Sequence, residues 1–141
     1  MGYCVGPQPL FAEVIRVHQF MTFTVHTPSQ IAFAEFVKKD PAATQLTPFY
    51  QQKRDLFLTL MAGSRFRPLP CQGTFFQMMD YSAITSESDA EFALRLIREH
   101  GVAAIPITPF LHGVEAGPVM RFCFAKRPDT LERAAERLRQ V

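Results

Sequence analysis

The 141-residue chain has only three cysteines, Cys4, Cys71 and Cys123. Their odd number and wide spacing exclude a disulfide framework and a CxxC metal pair. Each lies in an apolar stretch, so the expectation is three buried, reduced thiols in a cytoplasmic protein. No apolar run approaches the ~18–20 residues that span a bilayer. The N-terminus lacks the basic start and apolar core of a signal peptide. Fifteen Lys and Arg against thirteen Asp and Glu leave a net charge of +2, too balanced for a nucleic-acid footprint. There is no Gly-rich phosphate loop, no HExxH and no G-x-S-x-G. The four histidines, His18, His26, His100 and His112, are not spaced as metal ligands. There is no internal repeat and no low-complexity stretch.

What is present is a globular composition, 48% hydrophobic and 20% charged, in a length that makes about one domain. Tyr3–Val5, ended by Gly6-Pro7, predicts a strand. A chain opening in mid-strand suggests a piece of something longer. Leu10, Val14, Val17 and Met21 predict a helix fading near Thr24. Thr27 as N-cap, Pro28 at the first helical position and Asp40-Pro41 as a stop bracket a second. Thr47-Pro48 starts a third, amphipathic helix ending near Gly63. Strands follow at Phe66–Leu69 and Thr74–Met79. Ser88 or Asp89 caps a helix closed by Gly101, where His100 has the structural role of a C-terminal cation. Val102–Ile107 and Val119–Ala125 read as strands, and Asp129 opens a last helix with Leu131, Ala134, Ala135 and Leu138 on its apolar side. This order predicts an α+β fold, a largely antiparallel sheet covered on one side by helices, with a boundary along the helix Pro48–Ala62.

Arg121 is the most informative residue for function. It opens Arg121-Phe122-Cys123-Phe124-Ala125, an apolar strand in which a lone charge is costly. A guanidinium fork there can bind a carboxylate bidentately. It can equally serve an internal salt bridge to Asp80 or Glu115, or sit on an edge strand.

Eight stretches then occur in a familiar order: Gly2-Tyr3-Cys4-Val5, Val17-His18-Gln19-Phe20, Thr27-Pro28-Ser29-Gln30, Phe49-Tyr50-Gln51-Gln52-Lys53-Arg54-Asp55, Leu69-Pro70-Cys71-Gln72-Gly73-Thr74-Phe75-Phe76, Asp80-Tyr81-Ser82, Gly101-Val102-Ala103-Ala104-Ile105-Pro106 and Arg121-Phe122-Cys123-Phe124-Ala125-Lys126. Together they resemble the C-terminal part of class-I, pyridoxal-phosphate-dependent aminotransferases, in particular the methionine aminotransferase and kynurenine/glutamine transaminase group. The resemblance implies residues 1–47 as a remnant of the large cofactor-binding domain with its connecting helices, and 48–141 as the C-terminal small domain. It implies that Arg121 binds the substrate α-carboxylate, and that Phe23 and Phe110 match pocket-lining aromatics, against a reading of both as plain packing. Phe23 would reach a neighbouring subunit's pocket. The family's Schiff-base lysine lies in a Ser-x-Ser-Lys stretch that would precede Met1. Lys38, Lys39, Lys53 and Lys126 sit in no matching context and read as solvated surface residues. The implied enzyme moves an amino group from methionine or another bulky apolar or aromatic amino acid to a 2-oxo acid. This chain would hold its substrate-clamp side without binding pyridoxal phosphate itself. A homodimer, or docking on a separate N-terminal half, is the implied assembly. The alternative is a non-catalytic binding or assembly module. Neither a nucleic acid, a membrane nor a metal is expected.

Overall fold

The computed structural model describes residues 2–40, 46–114 and 116–141. The chain divides into two compact units, Met1–Leu46 and Thr47–Val141.

The first unit carries α1 (Gln8–Met21) and α2 (Thr27–Lys39). Each has a proline in its first turn, where the missing N–H would have no helical partner. α2 begins one residue earlier than its capping pattern suggests, with His26 as N-cap and Asp40 closing the far end. Neither helix buries a residue within the described structure. Leu10, Val14, Val17 and Phe20 remain exposed along α1. The expected strand at Tyr3–Val5 does not form; a lone extended segment has no ladder without a partner edge. Cys4 is exposed and Cys71 and Cys123 are half-buried, so the expectation of three buried thiols fails: Cys4 lies on that unpaired segment.

The second unit follows α3 (Thr47–Leu60) with a four-stranded antiparallel sheet in the order β1-β2-β4-β3. Its strands are β1 (Arg67–Pro68), β2 (Phe76–Asp80), β3 (Ile105–Pro106) and β4 (Val119–Cys123). α4 (Asp89–Arg95) continues into a wider π turn at Leu96–His100, and α5 (Pro128–Leu138) closes the chain. Ser88 forms a capping box with Glu91: its hydroxyl accepts from the Glu91 N–H while the Glu91 side chain accepts from the Ser88 N–H. Gly101 ends the π turn at φ 62°, a left-handed position that suits glycine.

Side chains on paired strands alternate between the two faces of the sheet. Gln77 lies opposite Phe122 and Met79 opposite Met120, and all four are buried. Met79, Met120 and Phe122 join Phe57 of α3, Met61 just after it, Phe92 of α4, Leu96 of the π turn, and Leu131, Ala135 and Leu138 of α5 in one core. The other face, with Phe76, Met78, Val119, Arg121 and Cys123, is half-buried. The expected strand Val102–Ile107 shrinks to two residues. Val102 spends its N–H on the Leu96 carbonyl at 3.2 Å in the helix-closing turn, and Pro106 has no N–H to give.

Candidate functional site

Arg121 sits on the half-buried face of the sheet, opposite the one packed against α3, α4 and α5. β4 runs between β2 and β3, so the edge-strand reading does not hold. Met78 and Ile105 lie directly across from Arg121 on the two neighbouring strands. Its guanidinium carbon is 4.5 Å from the centre of the Phe76 ring and 5.4 Å from that of Phe110. Such cation–π contacts are worth roughly 0.5–2 kcal/mol, depending on desolvation. They fix the plane of the fork without using its N–H donors. Among the described residues no carboxylate pairs with Arg121. Asp80 is engaged elsewhere: it accepts from the Ser82 N–H at 2.7 Å. That N–H, then the Ser82 hydroxyl and, after an opposing effect of burial, the Arg67 charge, hold its carboxyl below the usual range. Glu115 lies outside the described residues. Arg121 is half-buried rather than sealed in a core, because the two-residue alternation turns it away from Met120 and Phe122. The charge is therefore less costly there than an apolar run suggests.

Phe110 reaches this face from a short 3-10 turn, Thr108–Phe110, with Pro109 inside it. The turn is anchored at its base. Asp89, buried at the start of α4, accepts from the Ile107 N–H at 2.6 Å and the Thr108 N–H at 2.7 Å. Burial pushes the Asp89 carboxyl up, but the N–H groups of Thr108 and Ile107, the Thr108 hydroxyl and the Ala90 N–H outweigh it, and the net shift is downward from 3.8. A carboxyl depressed in the folded state stabilises the fold above its unfolded pKa of about 3.9, and that contribution is lost as pH falls through the folded value. Asp89→Asn is expected to cost about 1.5–3 kcal/mol at neutral pH, the range for a hydrogen bond to a charged group. Urea midpoints should converge for the two proteins as pH falls below the usual carboxylate range. A pH-independent gap between them would show that the charge at Asp89 is not what holds the turn.

The structure thus brings Arg121 and Phe110 together and adds Phe76, which the sequence reading did not single out. Phe23 belongs to the first unit. It closes α1 at φ 63°, donating its N–H to the His18 carbonyl at 2.9 Å, and its side chain is exposed. The left-handed conformation is uncommon outside glycine. His100 offers its carbonyl to Arg137 at 3.4 Å, in keeping with a structural place at a helix end.

The lysines show whether these residues suit a Schiff-base cofactor. Lys38 pairs with Glu35 at 3.1 Å. Lys53 is half-buried, not solvated as expected: it donates to the Lys126 carbonyl at 2.6 Å and lies 5.3 Å from the Phe49 ring centre. Lys39 and Lys126 are exposed. Within the second unit, the described contacts of the Arg121 guanidinium are to Phe76 and Phe110, and those of Lys53 are to Phe49 and the Lys126 carbonyl, so no lysine contact is described at the cluster. Among the described residues no three His, Cys, Asp or Glu side chains gather as metal ligands. Nor is any described helix long and apolar enough to cross a membrane.

A family model described as aminotransferase class I and II matches residues 1–138. This chain belongs to that family. Methionine aminotransferase of Escherichia coli is 46% identical over the whole of this chain, and the match covers 37% of that enzyme. A kynurenine–oxoglutarate transaminase of Dictyostelium discoideum is 29% identical across 98% of the chain and 37% of its own length. Among solved structures, an Escherichia coli methionine aminotransferase superposes with a TM-score of 0.82 over 99% of this chain and 37% of that one, at 46% identity. N-succinyldiaminopimelate aminotransferase of Mycobacterium tuberculosis follows the same path with a TM-score of 0.78 at 29% identity, over 96% of this chain and 36% of its own. This aminotransferase chain therefore spans a little over a third of the length of the relatives it matches. Its helices and small antiparallel sheet are those of aminotransferase structures.

Proposed function

We propose that the chain is the C-terminal portion of a pyridoxal-phosphate-dependent aminotransferase acting on methionine or another bulky apolar or aromatic amino acid, with a 2-oxo acid as acceptor. In this reading 48–141 is the small domain and 1–47 a remnant of the large one. Arg121 binds the substrate α-carboxylate, and Phe110 lines the pocket. The observation that carries the reading is Arg121 itself: a guanidinium flanked by two rings, with no described carboxylate beside it, in a chain of this family. A planar fork with free donors takes a planar carboxylate in two parallel hydrogen bonds. Holding the carboxylate fixes the orientation of the substrate Cα–H, which is worth more than the contact energy alone. Phe23 serves the pocket of a neighbouring subunit, and the working assembly is a cytoplasmic dimer.

The Schiff-base lysine is absent from these residues, so the chain alone is inactive. The purified chain, titrated with pyridoxal phosphate and reduced with borohydride, should show no stoichiometric adduct by intact mass and no conversion of methionine to its 2-oxo acid. Joined behind the portion of the Escherichia coli methionine aminotransferase that it does not match, it should convert methionine. A single-lysine adduct on the isolated chain, or a hybrid that folds as a dimer and stays inactive, would overturn the reading.

A second reading rests on the apolar surfaces of α1 and α2, where Leu10, Phe20 and Ile31 are more than half exposed. Faces of this kind mark interaction sites. Here the chain is a module that docks on a separate N-terminal half. Co-expression of the two pieces as separate chains distinguishes it: co-purification supports docking, and independent elution of both pieces removes its basis.

A further inference from the structure

The helix-covered side of the second unit has a cavity of about 400 Å³, on the opposite side of the sheet from the Arg121 fork. It opens where β4 and the segment before β3 part company. Pairing between those strands stops at Ile105 and Arg121, so Val102 and Ala103 stand away from Phe122–Lys126 instead of closing on them. The wall is apolar, with Val102, Ala103 and Ala134 lying over the buried Phe57, Phe122 and Leu138, and the rim carries Lys126, Arg133 and Arg137.

The rim cations are weakly engaged. Arg137 reaches only the carbonyls of His100 and Gly101, at 3.4 Å each. It lies so close over Gly101 that a Cβ there would come within 2.6 Å of its Nη1. Arg133 is 3.9 Å from Asp129, a carboxylate that already pairs with Arg127 at 3.0 Å. Lys126 has its carbonyl, not its ammonium, engaged, and the donor is a further cation, Lys53, at 2.6 Å. Thr130 also lines the space. No carboxylate is among the lining residues.

Cationic donors around an apolar hollow of this volume are the features of a small-molecule pocket with one charged anchor. We infer that this cavity binds a small amphiphilic anion, a carboxylate carried on an aryl or alkyl tail, with Arg133, Arg137 and Lys126 holding the charged group and Val102, Ala103 and Ala134, above the buried Phe57, Phe122 and Leu138, receiving the tail. The site is separate from the substrate fork at Arg121 and does not depend on the role proposed for that residue.

4-Phenylbutyrate is the probe, added to the isotope-labelled 141-residue chain and followed by amide chemical shifts. Saturable shifts are expected at Val102, Ala134 and Leu138. The neutral 4-phenylbutanol should bind about tenfold more weakly or worse, as should the acid to Arg133→Gln and to Arg137→Gln, since each change removes a charge-assisted contact. Arg121→Met should bind like the parent. Shifts confined to the Phe76–Phe110 face, equal binding of acid and alcohol, or no saturation by 4-phenylbutyrate with a folded parent would each overturn the proposal. Because Arg133 and Arg137 are exposed, the Gln variants should keep the parent's thermal midpoint. If one of them unfolds, the alcohol comparison on the parent still decides.

Discussion

In the hybrid enzyme, Arg121→Met lowers kcat/KM for methionine by roughly thirty- to several-thousand-fold. That range follows from the roughly 2–5 kcal/mol lost when one partner of a desolvated, hydrogen-bonded charge pair is removed, at about 1.4 kcal/mol per tenfold. The geometry favours the upper part. The fork lies against Phe76 at 4.5 Å and Phe110 at 5.4 Å, so little rearrangement accompanies binding and little of the interaction is spent on ordering the side chain. Among the described cation–ring contacts, no second guanidinium lies over Phe76 or Phe110 to take over the carboxylate. Arg121→Lys should recover only part of the loss, because an ammonium is a point donor and cannot make two parallel bonds. The substrate analogue that lacks the carboxylate, 3-(methylthio)propylamine, provides the control. Parent and Arg121→Met should handle it equally poorly. A variant that loses activity equally on methionine and on the amine would mean that Arg121 supports the fold of the sheet face and does not bind the carboxylate.

How much of this was legible beforehand depends on the range of the interactions involved. The Ser88–Glu91 capping box, the left-handed Gly101 and the apolar stripe Leu131, Ala135 and Leu138 are local features, set within a turn or two of helix. Each is written in neighbouring residues. The position of Arg121 on the half-buried face is not. It follows from the pairing of Arg121 with Met78 and with Ile105, and a shift of one residue would exchange the two faces. Phe76 was overlooked for the same reason. In sequence it is one of two adjacent phenylalanines, and only the register with β4 decides that Phe76, not Phe75, lies under the guanidinium. Phe76-Gln77-Met78-Met79 does not alternate in polarity, and its one polar residue, Gln77, is on the buried face. The overestimated strand at Val102–Ile107 shows a different limit. Its apolar content is real, and Val102 and Ala104 are buried, but the donor count fails: one N–H closes the preceding helix and Pro106 has none. The resemblance to aminotransferases was legible through eight short stretches in order, three of which lie on α1, α2 and α3.

Phe92→Ala is expected to remove about 3–5 kcal/mol of stability, the usual cost of emptying a buried phenylalanine site. Set against a total of about 5–15 kcal/mol for a small domain, that leaves the second unit close to unfolding. The ring is fully buried. It stacks on Phe66 at 6.1 Å, meets Tyr81 at 4.7 Å, and lies under the Arg95 guanidinium at 4.8 Å. Phe66 in turn meets Phe122 of β4 edge-on at 5.4 Å. The removed ring therefore stands between α4 and the strand that carries Arg121, and neighbours on several sides limit how far the hole can collapse. α4 also holds Asp89, whose carboxylate fixes Ile107 and Thr108 and so the turn bearing Phe110. Loosening α4 should disturb the site before the unit unfolds. Circular dichroism should show the melting midpoint falling by about 4–8 °C per kcal/mol lost. Amide exchange at Ile107 and Thr108 should accelerate at temperatures where α5 is still protected. Phe110→Ala, at a side chain 65% exposed, should leave the midpoint within about 0.5 kcal/mol of the parent. Equal losses for the two variants would place the stabilising centre of this unit somewhere other than the Phe66–Phe92–Tyr81 cluster.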